Sequence, residues 1–208
     1  MSRGQDAGAD TGARLLIVGP QGSGKGTQGI RIADAFGIPA ISTGDMFRAA
    51  VASGSELGTQ VSQIIEAGDL VSDELTTAVV RDRLAQADAG SGFLLDGYPR
   101  NLSQVRDLDA FLDGRGEQLD GVIELVVPRE ESIQRLSLRA ADQGRSDDTE
   151  QVIANRLAIY ERDTAPILDV YRERGIALEI DGVGSLDEIT DRVIAALEAR
   201  GLIRAAAA

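Results

Sequence analysis

Short apolar runs alternate along the chain with longer stretches of helical spacing. The runs are residues 15–18 (LLIV), 93–95 (FLL), 122–127 (VIELVV) and 176–180 (IALEI), with 40–41 (AI) as a weaker fifth. They are apolar at consecutive rather than alternate positions, the pattern of strands covered on both faces in a parallel sheet. The clearest helical stretch is the last. Ser185 and Glu188 have capping-box spacing, Leu186, Ile189, Val193, Ile194 and Leu197 share a face, and Gly201 ends it. A second, longer helix is expected over about residues 149–174, kinked at Pro166. The strand–helix rhythm predicts a doubly wound α/β fold around a five-stranded parallel sheet, with ligands at the carboxyl ends of its strands.

Two segments break the rhythm. Residues 42–71 carry two short helical patterns split by Ser53-Gly54-Ser55, with no strand between them. Residues 138–148 (LRAADQGRSDD) are polar and interrupt two helices. Both read as insertions at the sheet edge. The expected organisation is a disordered extension at 1–13, a core of 14–41, 72–137 and 149–204, insertions at 42–71 and 138–148, and a tail at 205–208. No apolar run approaches the roughly 20 residues of a membrane span, and residues 1–13 lack the apolar stretch of a signal peptide. A soluble, cytoplasmic protein is expected.

Composition narrows the chemistry. Among 208 residues there is no Cys, His or Trp, which excludes thiol chemistry, imidazole catalysis and the usual zinc ligands. The net charge is −13, which argues against a nucleic-acid binder. The basic residues are twenty Arg and one Lys, Lys25. An anionic substrate must therefore meet a local cluster of arginines in an acidic body.

That single lysine sits in a motif. Residues 15–18 run into Gly19-Pro20-Gln21-Gly22-Ser23-Gly24-Lys25-Gly26-Thr27, followed by a helical pattern. Gly19 and Gly24 enclose four residues and Lys25 follows, the spacing of a P-loop. Such a loop turns backbone N–H groups toward phosphates, adds the positive end of a helix, and lets the lysine reach the β and γ oxygens. Gly26 stands where the general motif has Ser or Thr.

Further motifs follow in order: Ser42-Thr43-Gly44-Asp45-Met46-Phe47-Arg48, Asp96-Gly97-Tyr98-Pro99-Arg100, Gly144-Arg145-Ser146-Asp147-Asp148 and Asn155-Arg156-Leu157. With these and GPQGSGKGTQ, the sequence resembles the adenylate kinases over about residues 14–200. The brief 138–148 segment is similar to their short-lid variety. The resemblance implies ATP, AMP and ADP as ligands, Mg²⁺ carried with ATP, no zinc, no nucleic-acid or membrane partner, and a monomer. It makes 42–71 an AMP-binding insertion and 138–148 a lid.

The resemblance also implies residue roles. Gly22, Ser23, Gly24, Lys25, Gly26 and Thr27 would hold the ATP phosphates, with Arg135 and the Gly184 carbonyl near its adenine. Thr43, Arg48, Asp69, Leu70, Val71, Gly97, Tyr98, Pro99, Arg100 and Gln104 would form the AMP site. Arg139 and Arg145 would descend from the lid, and Arg145 and Arg156 would clamp phosphates between donor and acceptor. Lys25, Arg100, Arg139, Arg145 and Arg156 form the implied catalytic set. Asp96 ends an apolar strand beside the P-loop, a position that suits holding Mg²⁺ through water, or else a cap or salt bridge. Asp147 and Asp148 read equally as a lid latch or as helix caps. Arg81, Arg83, Arg106, Arg172 and Arg174 are expected to be solvated or helix-terminal charges.

The implied reaction is reversible transfer of the γ-phosphoryl group of MgATP to AMP, giving two ADP. A UMP/CMP kinase or another nucleoside monophosphate kinase is the alternative. Thr43 and Gln104 are the forms expected for AMP, whereas Asn101 occurs in the pyrimidine group. A P-loop ATPase or switch protein is more remote, because no water-positioning motif is apparent and the matched arginines would be superfluous.

Overall fold

The structure is a computed structural model that describes residues 12–143 and 149–205. Among the described residues, five strands form one parallel sheet in the order β2-β3-β1-β4-β5. They are β1 (Arg14–Val18), β2 (Ala40–Ser42), β3 (Phe93–Asp96), β4 (Gly121–Val126) and β5 (Ala177–Asp181). β1, β2 and β3 differ from their sequence expectations by one residue at one end, and β4 and β5 by one residue at both, because apolarity marks the buried stretch and not the last ladder bond.

Why the strands read as continuous apolar runs is visible in the packing. On β1, Leu16 and Val18 enter one core cluster while Leu15 and Ile17 enter the other; Phe93 and Leu95 of β3 likewise oppose Leu94. The first face is covered by α4 (Asp73–Leu84), α5 (Leu102–Asp113) and α8 (Ile167–Glu173), through residues such as Val80, Leu108 and Tyr171. On the other lie α1 (Lys25–Phe36) and α9 (Leu186–Ala199), which supply Ile32, Phe36, Val193 and Leu197. A strand residue therefore meets an apolar layer whichever way it points.

Chain order reverses at β1, which has β3 on one side and β4 on the other. Such a switch point opens a crevice beyond the carboxyl ends of the strands. Residue 17 pairs with Asp96, the last residue of β3, and residue 18 with Glu124, two residues before the end of β4, so the loop after β1 emerges between them.

The 42–71 region folds as α2 (Thr43–Ala52) and α3 (Glu56–Ala67). Ser42 and Ser55 cap them by accepting from the N–H groups of Asp45 and Gly58. Phe47, Val61 and Val71 form their own small cluster. Across the expected 138–148 insertion, α6 (Arg129–Gln143) continues through residue 143, and residues 144–148 lie outside the described residues.

The long helix expected over 149–174 is instead two. After α7 (Glu150–Ile159) comes a π turn, Tyr160–Thr164, and then α8. Pro166 has no N–H and cannot continue an i−4 ladder. The chain widens before reaching it: the Ala165 N–H donates to the Tyr160 carbonyl five residues back, at 2.8 Å. Pro166 then serves as the N-cap of α8. Among the described residues no helix is long and apolar enough to cross a membrane.

Candidate active site

The loop between β1 and α1 wraps the positive end of α1. Gly24, the N-cap, has φ +86° and offers no side chain to the free N–H groups of the first turn. Gly22 has φ +82°, and a β-carbon there would lie 2.3 Å from the Ser132 carbonyl oxygen. Only glycine fits this close approach of loop and α6. The helix end is thus left open toward an anion. Lys25 Nζ donates to the Pro20 carbonyl at 3.2 Å, folding the lysine back over the loop.

A cavity of about 860 Å³ lies over this loop. Gly22, Gly24, Lys25, Gly26, Thr27 and Arg135 line it, as do Thr43, Arg48, Asp69, Leu70, Val71, Gly97, Pro99, Arg100, Gln104 and Arg156. Residues assigned to two nucleotides from separate motifs therefore share one space.

Three expected residues lie elsewhere. Ser23 is buried beneath the loop, and its side chain sits where a β-carbon on Gly19 would approach within 2.8 Å. Its contribution to the loop is a turn, its N–H donating to Pro20 at 3.1 Å. Tyr98 turns into the core, where its hydroxyl is 3.0 Å from Thr77 Oγ1. Gly184, φ +136°, faces Glu188 and Arg192 at the start of α9. Arg145, Asp147 and Asp148 lie outside the described residues, as does the side chain of Arg139.

The carboxyl end of β3 is the charged centre of the cavity. Asp96 Oδ1 is buried and has no hydrogen-bond partner among the described residues. Burial pushes its carboxyl above the ordinary carboxylate range, against the pull of Lys25, Arg100 and Arg48. Burial likewise lowers the Arg100 guanidinium, opposed by Asp96. Arg100 Nε donates to the Gly97 carbonyl at 2.6 Å, and Thr43 Oγ1 donates to the same oxygen at 3.0 Å. Around them, Arg48 pairs with Asp45 at 2.5 Å, and Arg156 Nη2 donates to the Ile65 carbonyl at 3.3 Å.

Arg135 braces the other wall. Its Nε meets Glu131 at 2.8 Å, its Nη2 donates to the Gly182 carbonyl at 3.1 Å, and its Nη1 reaches the Ser23 carbonyl at 3.5 Å. One planar group thus ties α6, the phosphate loop and the segment after β5.

Sequence reading missed several lining residues, among them Met46, Thr76 and Tyr160. Thr76 and Tyr160 lie inside helical patterns and carry no motif. It also missed Asp73, half-buried at the start of α4, where Ser72-Asp73-Glu74 reads only as a helix beginning. Asn101 has a structural use: it caps α5 by accepting from the Gln104 N–H and donates to Asp73 at 2.8 Å.

This geometry has relatives among known proteins. The sequence model of the family described as Adenylate kinase matches residues 17–176. An Adenylate kinase of Leifsonia xyli subsp. xyli is 54% identical over 189 residues, covering 91% of this chain and 95% of the relative. One from Clavibacter michiganensis subsp. michiganensis is also 54% identical, covering 91% and 94%. Another, from Thermobifida fusca, is 51% identical over 187 residues, covering 90% and 99%. With five parallel strands, a P-loop at the switch point and this breadth of identity, the chain belongs to the adenylate kinase family.

Proposed function

We propose that the chain catalyses reversible transfer of the γ-phosphoryl group from MgATP to AMP, giving two ADP. The observation that carries this reading is the single cavity lined by both the phosphate loop and the Thr43–Arg100–Gln104 group. In the forward direction the bond between the γ-phosphorus and its bridging oxygen breaks, and a bond to an AMP phosphate oxygen forms. The attacking oxygen is already anionic, so no general base is required, consistent with a site built without histidine.

Lys25 and the backbone N–H groups of residues 22–27 hold the ATP phosphates, while Arg48 and Arg100 hold the AMP phosphate. Arg156, with Arg139 and Arg145, sets positive charge against the negative charge of the phosphoryl group passing between donor and acceptor. Arg135 backs the ATP adenine. The Mg²⁺ that accompanies ATP neutralises phosphate charge when bound. Asp96, buried, one oxygen unpartnered and Gly26 beside it, is a carboxylate suited to accept hydrogen bonds from that ion's waters. The sites divide between a core, an AMP-binding insertion at 42–71 and a lid at 138–148, which close to exclude water. The protein acts as a cytoplasmic monomer.

Asn101 is the residue that pointed toward a pyrimidine acceptor. Its work as an α5 cap and Asp73 donor is a structural use that calls for no pyrimidine acceptor. Lys25→Met tests the assignment through ADP formed from ATP plus AMP. A loss of about a hundredfold or more is expected; activity within a few-fold of wild type would overturn it. A panel of AMP, UMP, CMP and GMP tests the acceptor.

A further inference from the structure

Asp73 does not line the cavity, yet it controls a residue that does. Its Oδ1 accepts from Gln104 Nε2 at 2.7 Å and from Asn101 Nδ2 at 2.8 Å. Gln104 is only 1% exposed, and its Oε1 accepts the Arg100 backbone N–H at 2.8 Å. An amide carries two N–H donors and two acceptor lone pairs. A carboxylate oxygen can only accept, and a backbone N–H can only donate. Turned over, the Gln104 amide would set oxygen against carboxylate and N–H against N–H. One orientation is therefore fixed from both sides, leaving one N–H and one lone pair to spare, the donor on the Asp73 side and the acceptor on the Arg100 side.

That fixed order matters to a purine base. The pairing edge of adenine sets the N1 acceptor beside the N6 amino donor; guanine reverses it, with an N1–H donor beside the O6 acceptor. We propose that Asp73 is a positioning residue for acceptor specificity: it locks the polarity of the Gln104 amide, so that the site accepts an adenine edge and rejects a guanine edge. The proposal rests on the AMP reading above and on Gln104 reaching the acceptor base. Asp73 acts through Gln104 and touches no substrate.

Steady-state kinetics with AMP and GMP as acceptors test it, on wild type, Asp73→Ala and Asp73→Asn. A wild type that does not prefer AMP overturns the acceptor reading and this proposal with it. Given that preference, Asp73→Ala is expected to raise KM for AMP about tenfold and to cut the AMP-to-GMP ratio of kcat/KM about 10- to 100-fold. KM for ATP should stay within about threefold. Asp73→Asn keeps an accepting oxygen but adds a donor, so its ratio should fall between the two. A ratio unchanged in both variants, or equal losses for ATP and AMP, overturns the proposal alone, since loss of a helix-terminal carboxylate would act that way. If Asp73→Ala does not fold, the Asn variant carries the test by the same ratio.

Discussion

Gly26 and Asp96 face one another at the mouth of the phosphate loop: a β-carbon on Gly26 would lie 3.6 Å from Asp96 Oδ2. The carboxylate fills the neighbourhood in which the general P-loop motif places a hydroxyl. Because burial raises the Asp96 pKa, the folded chain keeps its proton to higher pH than the unfolded chain does. The stability this group contributes is complete below the ordinary value of 3.8 and is lost as pH rises through the raised one. Asp96→Asn should remove that loss. Melting of the ligand-free protein measured from about pH 4 upward should show a flatter pH dependence and, above the raised pKa, a higher Tm than wild type. ADP formation should drop about 10- to 100-fold. An Asn variant with the wild-type pH slope would contradict the account.

The same site shows what the sequence can and cannot disclose. The P-loop was legible because its glycines and lysine are consecutive and its backbone does the binding. The sheet was legible because burial on both faces leaves a continuous apolar run. Asp73 was not, since its meaning comes from Gln104, about thirty positions away, and Tyr160 was not, since it carries no motif and reaches the cavity from the π turn. The π turn escaped for a different reason. Pro166 announces a break, but the ladder adjusts ahead of it, where Tyr160 and Thr164 reach the cavity and Thr164 Oγ1 donates to the Arg100 carbonyl at 2.9 Å.

Gly97 is expected to tolerate no side chain. Its φ is +84°, and a β-carbon would lie 2.6 Å from Thr43 Oγ1 and 3.0 Å from Arg100 Nη2. Left-handed strain and overpacking together put Gly97→Ala at about 2–4 kcal/mol of lost stability. Gly54, φ +65°, has nothing within 4 Å, so Gly54→Ala should cost only about 1–2 kcal/mol. Denaturant midpoints for the pair separate strain from contact; equal shifts would sink the distinction.

Arg172, expected to be a solvated or helix-terminal charge, lies in the last turn of α8 and also holds a buried partner. It pairs at 2.6 Å with Glu124, a β4 carboxylate whose side chain is 12% exposed and whose pKa burial raises despite the arginine. Arg172 itself is 44% exposed, which discounts the pair. Arg172→Ala strands the carboxylate and should cost about 1–2 kcal/mol. Adding Glu124→Gln should recover most of that loss. A double variant as unstable as the sum of the singles would show that the two side chains do not depend on each other.

Arg135 offers the sharpest separation of the two nucleotides. Its guanidinium points three ways at once, to Glu131, to the Gly182 carbonyl and toward the Ser23 carbonyl. The planar fork presents its N–H donors in fixed directions to these three acceptors, and its flat face is also what an adenine ring would stack on. A lysine there supplies charge but neither the plane nor the fork. If the group works through shape, Arg135→Lys should behave like Arg135→Ala, both raising KM for ATP about tenfold while leaving KM for AMP near wild type. If it works through charge, the lysine should restore ATP binding. The contacts themselves favour shape: Glu131, at 2.8 Å, already balances the charge, whereas no other side chain among the described residues donates to the Gly182 carbonyl.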